Sequence, residues 1–133
     1  MSYRLIDHTA DIGIQVHAPD IAALFHEAAA ALVDILDAGG VQQEVSIDIN
    51  IDGLDLADTM VRWLQEILYL IQVRGLRVAD FVVHEVYETA VTAGVDGKYT
   101  QTPLAMEIKA VTYHGLKIQK CEHGLETTII LDT

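Results

Sequence analysis

The chain is poor in several residue types, and each shortage narrows its function. It holds one cysteine, two prolines and eight basic residues among 133. The lone Cys121 excludes an internal disulfide and any single-chain zinc site built on cysteines, and it fits a reducing cytoplasm. Eight Lys and Arg stand against 20 Asp and Glu, for a net charge of −12. Phosphate contacts need clustered cations, so no direct nucleic-acid binding is expected. The densest basic pairs are Arg74 with Arg77 and Lys117 with Lys120. No apolar run approaches the ~20 residues of a membrane helix. Met1-Ser2-Tyr3-Arg4 does not open a basic-then-apolar leader, so neither a membrane span nor a secretory signal is expected. G-x-S-x-G, Walker A and G-x-G-x-x-G motifs are all missing.

What is present is a strongly apolar chain, 51% of its residues, which excludes disorder. The acidic surplus suits a soluble surface, a cation site or a basic protein partner. Residues 3–6 and 12–18 read as strand, with Ile12, Ile14, Val16 and Ala18 on one face at period two. Asp20 caps a helix that keeps its spacing to about Asp37, with Gly39-Gly40 as the expected stop. Val45, Ile47, Ile49 and Ile51 alternate with polar residues, a half-buried strand. A second helix starts at Asp55 or Asp58 and runs to Arg74, closed by Gly75. Its polar face is Arg62, Gln65, Glu66, Tyr69 and Gln72, and the apolar arc opposite is wide enough to predict packing on more than one side.

The second half reads as β: one long strand over 78–91, a turn at Asp96-Gly97, and strands around 108–111 and 116–120. A hairpin loop at Glu122-His123-Gly124 and a closing strand over 127–132 complete it. The expected fold is one α+β domain over 1–133, two helices packed on largely antiparallel β-sheet. Two strand–helix–strand passages hint at an internal duplication of a β-α-β-β unit.

Two polar clusters carry the candidate chemistry. Asp7-His8-Thr9-Ala10-Asp11 sets an imidazole, a hydroxyl and two carboxylates between apolar flanks. Asp11 can supply one oxygen to a hard cation, or Thr9 and Asp11 can hydrogen-bond the backbone of a tight bend. In Lys109-Ala110-Val111-Thr112-Tyr113-His114-Gly115, Lys109 can meet an anion or simply protect a strand edge. Asp48, Asn50 and Asp52 look like the start of a calcium loop, but Ile49 and Ile51 alternate with them, as on a strand's solvent face. The position of the closing glutamate falls on Thr59. Composition and spacing do not single out Asp132.

The segments Asp7-His8-Thr9-Ala10-Asp11-Ile12-Gly13, Leu24-Phe25 with Ala28-Ala29, Trp63-Leu64-Gln65-Glu66-Ile67-Leu68-Tyr69 and Lys109-Ala110-Val111-Thr112-Tyr113-His114 occur in that order. With the ending Ile129-Ile130-Leu131-Asp132, the chain resembles the archease family over essentially its whole length. That family is the small protein partner of the GTP-dependent tRNA-splicing RNA ligase. The resemblance implies a divalent-metal site, for Ca or Mg/Mn, made of Asp11, Asp132 and a backbone oxygen of Thr133. Family members commonly end in an aliphatic residue where this chain has Thr133, and carry glutamate where it has Asp7. The resemblance implies an activator of ligase guanylylation and turnover rather than an enzyme, with GTP belonging to the ligase. A general chaperone or adaptor is the alternative, and a free-standing metal-dependent hydrolase ranks below both. His8, Thr9, Lys109, Thr112 and His114 stand as groups that orient Asp11 or meet the partner.

Overall fold

The computed structural model describes residues 1–8 and 11–133, with backbone alone for Asp7 and His8. Strands β1 (Ser2–His8) and β2 (Asp11–Ala18) pair antiparallel from Ser2↔His17 to His8↔Asp11. The bend expected at Thr9 lies outside the described residues.

Helix α1 (Ile21–Leu36) begins where expected, with the Asp20 carboxylate accepting from the Ala23 N–H at 2.8 Å. It ends at Leu36, as the spacing to about Asp37 predicts, with Asp37 itself and not Gly39-Gly40 making the stop. Asp37 takes the left-handed conformation at φ 54. The N–H groups of Asp37 and Ala38 then donate to the carbonyls of Asp34 (3.1 Å) and Val33 (2.9 Å). That is a Schellman closure, and an aspartate tolerates its left-handed residue.

Strand β3 (Val45–Asp52) leads into α2 (Leu56–Gln72), whose N-cap Asp55 accepts from the Asp58 N–H at 2.8 Å. The long strand expected over 78–91 is two strands, β4 (Leu76–Tyr87) and β5 (Ala90–Tyr99), turning at Glu88-Thr89. The turn expected at Asp96-Gly97 is strand interior: Gly97 lies between Val45 and Val78 in the ladders. A Cβ on Gly97 would strike the Arg77 carbonyl oxygen, so the glycine serves close backbone approach, not reversal. Asp96 instead accepts from the Ser46 hydroxyl at 2.5 Å.

Strand β6 is short (Ala110–Val111), β7 covers Gln119–Cys121 rather than 116–120, and β8 spans Gly124–Asp132. Cys121 pairs with Gly124, so Glu122-His123 make the hairpin turn.

These strands form two antiparallel sheets, β1-β2-β8-β6 with β7 also on β8, and β3-β5-β4. The β2-α1-β3 passage crosses between the sheets, whereas β3-α2-β4 stays within one, so the two passages do not take equivalent routes. Both helices touch both sheets, which accounts for the wide apolar arc of α2. Between them sits Trp63, fully buried, its Nε1–H donating to the Phe25 carbonyl at 3.0 Å. Among the described residues, no helix is long and apolar enough to cross a membrane.

Candidate functional site

β8 is the hub of the larger sheet. On one side it pairs with β2, through Ile12↔Leu131 and Gly13↔Ile130. The paired stretch ends at Ile12↔Leu131, and Asp11, the first residue of β2, and Asp132, the last of β8, are the next residues beyond it. Ile14, Val16, Ile129 and Leu131 fill the core-facing positions of these strands, so the aspartates share the opposite face. Asp11 is half-buried and Asp132 exposed. Directly opposed residues on an antiparallel pair hold their Cβ atoms ~4.5–5.5 Å apart, and like charges there repel.

On its other side β8 pairs with β6, through Ala110↔Asp132 and Val111↔Leu131. The Lys109 N–H donates to the Asp132 carbonyl at 2.7 Å, and the Thr112 N–H to the Ile130 carbonyl at 3.0 Å. The second polar cluster is thereby tied to the strand that carries Asp132. Lys109 and His114 are exposed, Thr133 and Thr112 half-buried. The Thr112 hydroxyl accepts from the His114 N–H at 3.2 Å. Thr9 and the side chain of His8 lie outside the described residues, although the backbone of His8 pairs with Asp11.

Among the described residues no group of three or more His, Cys, Asp or Glu forms a metal cage. Asp11, Asp132 and the oxygens of Thr133 are the groups that could hold a cation at these strand ends. Hard divalent cations take such oxygens and complete their shell with water, so the chemistry fits Ca²⁺, Mg²⁺ or Mn²⁺. Asp48, Asn50 and Asp52 point outward from β3 as a solvated face.

Asp58 was not a sequence candidate beyond the helix start, yet it is 7% exposed and heavily bonded. Its Oδ1 accepts from the Tyr113 hydroxyl at 2.5 Å. Its Oδ2 accepts from the Leu54 N–H and the Arg62 Nε–H, each at 2.8 Å. The Tyr113 bond, then the Leu54 N–H and Arg62, hold this carboxyl below its ordinary value, and Asp58 pushes the Tyr113 phenol up. The signal in the sequence was the capping-box spacing of Asp55 and Asp58. The polar face of α2 is also more than a solvated stripe. The Gln65 Nε2–H donates to the Val111 carbonyl at 3.3 Å. The Gln72 amide donates to the Ile108 carbonyl at 2.8 Å and accepts from the Ile108 N–H at 2.7 Å.

Residues 3–133 match the model of the Archease protein family (MTH1598/TM1083). The chain belongs to the archease family. The protein archease of Archaeoglobus fulgidus is 32% identical over 136 aligned positions, 99% of each chain. That of Pyrococcus furiosus is 33% identical, covering 89% of this chain and 88% of the other. Two solved structures share the archease fold. The solution structure of Methanobacterium thermoautotrophicum protein 1598 aligns with a TM-score of 0.78 at 22% identity, over 99% of both chains. The crystal structure of a Thermotoga maritima archease, described as a possible chaperone, aligns at 0.70 and 21% identity, over 96% of this chain and 94% of that one.

Proposed function

We propose that this archease is a cytoplasmic protein activator of the GTP-dependent tRNA-splicing RNA ligase, working through a divalent cation held by Asp11, Asp132 and Thr133. The observation that supports the reading is the β2–β8 register, whose last pair, Ile12↔Leu131, leaves Asp11 and Asp132 as the adjoining strand-end residues. Two opposed carboxylates are unfavourable alone and favourable around a hard cation. A bound cation would offset phosphate charge and polarise a phosphoryl oxygen of the GTP that the ligase holds. The chain's own part is to position: Asp11 anchors from the sheet, and exposed Asp132 presents the site outward. The Lys109 N–H fixes the Asp132 peptide. The net charge of −12 favours docking beside a basic RNA-binding cleft. His8, Thr9, Lys109, Thr112 and His114 surround the site in sequence or register and serve to orient Asp11 or meet the ligase.

The test is RNA ligation by the cognate ligase with GTP and divalent metal, in single and multiple turnover. The parent chain should stimulate guanylylation and repeated turnover. Stimulation by Asp11→Ala or Asp132→Ala equal to the parent's would reject the reading. The second reading, a general chaperone or adaptor, is favoured by the description of the Thermotoga relative. It predicts suppressed aggregation of unrelated proteins and indifference to Asp11→Ala.

A further inference from the structure

Asp58, Gln65 and Gln72 are spaced seven apart along α2, two helical turns each, so they form one stripe. Every member bonds the same segment, 108–113. Gln72 takes both backbone groups of Ile108, Gln65 takes the Val111 carbonyl, and Asp58 takes the Tyr113 hydroxyl. The segment's other side bonds β8, through Lys109 N–H to Asp132 and Thr112 N–H to Ile130. The stripe thus stands where another strand would lie. The Gln72 carboxamide offers one donor and one acceptor, as a strand residue's backbone does, and it covers the sheet edge next to Asp132.

We infer that Asp58, Gln65 and Gln72 are positioning residues that set Asp132 and Thr133 against Asp11, and so set the affinity for the cation. The inference rests on the cation reading proposed above. A looser 108–113 segment releases the Asp132 peptide, while Asp11 on β2 stays in place. The carboxylates then no longer meet at the separation the cation needs. Supporting groups of this kind are worth about 10–100-fold in metal affinity.

The experiment uses the full chain and Mn²⁺ alone, by titration calorimetry, with amide hydrogen exchange of Lys109 and Thr112 read by NMR. Gln72→Met keeps length and bulk but loses both bonds. It should bind Mn²⁺ about tenfold more weakly and exchange the Lys109 amide faster. Asp58→Asn keeps one acceptor oxygen, which can take the Tyr113 hydroxyl, while its amide nitrogen cannot accept from Leu54 or Arg62, so it should recover only part of what Asp58→Ala loses. Ile49→Val, buried in the other sheet, lowers the melting temperature without touching the segment and should leave Mn²⁺ affinity unchanged. If Gln72→Met fails to fold, Gln65→Met replaces it. Parent-like Mn²⁺ affinity in the glutamine variant, with affinity lost in Asp11→Asn, overturns the positioning role and leaves the cation site standing. Equal weakening by Ile49→Val also overturns it, as a general stability effect. Parent binding no tighter than Asp11→Asn rejects the cation site and the inference together.

Discussion

The Tyr113 hydroxyl donates to Asp58 Oδ1 at 2.5 Å, joining positions 55 apart in sequence. This bond ties the loop after β6 to the first turn of α2. It needs an ionised carboxyl and a protonated phenol. Asp58 is held below its ordinary value, so its stabilisation is present above the unfolded carboxyl value of about 4 and fades as pH falls through the folded one. Tyr113 is raised, so its share is present below about 10 and fades as pH climbs through its folded value. Thermal melts from pH 2 to 11 should show the parent ahead of Tyr113→Phe on the plateau between these limits, with the gap closing at both ends. A gap independent of pH would contradict the assignment.

The proposed opposition of Asp11 and Asp132 should show in the absence of metal. With chelator present, Asp11→Asn or Asp132→Asn should be as stable as the parent or more so, by roughly 0.2–1 kcal/mol, the usual worth of a cross-strand pair. With Mn²⁺ at about 100 times its dissociation constant, the parent should gain ~2.7 kcal/mol and the variants little. Differential scanning fluorimetry with and without chelator checks both halves. A parent that melts alike in both conditions would count against the site.

Trp63 is the chain's single tryptophan and joins the two helices through Phe25. Trp63→Ala should cost ~3–5 kcal/mol, from lost burial plus an unfilled cavity. Urea unfolding followed by circular dichroism measures it. In the parent, the emission of this residue should be blue-shifted until the core opens.

Gly97→Ala should be more damaging than a surface strand substitution, because the new methyl meets the Arg77 carbonyl. The expected loss is ~1–3 kcal/mol, with faster amide exchange along β4 and β5. Were Gly97 a turn residue, as its Asp-Gly pairing suggests, an alanine there would disturb no ladder. The exchange pattern separates the two.

Short-range chemistry made much of the fold legible. Asp20 and Asp55 cap helices because a carboxylate two or three residues from free N–H groups acts wherever the chain later goes. Val45 to Ile51 alternate because one face of β3 is buried. The resemblance of the polar segments carried the family. The errors came where a local signal met a tertiary demand. Asp96-Gly97 reads as a turn, but neighbouring backbones required the glycine. The 78–91 run hid a reversal at Glu88-Thr89 that has no glycine or proline to mark it.

By itself, then, the sequence determined two capped helices, the alternating strands, an acidic α+β chain and its family. Only the tertiary structure decided that β2 pairs with β8 up to Ile12↔Leu131, beside Asp11 and Asp132, that Asp58 holds Tyr113, and that Gln65 and Gln72 bond a distant segment. Those partners lie tens of residues or more apart. Their meeting depends on sheet register and helix placement, which burial of the whole core selects and no local pattern encodes.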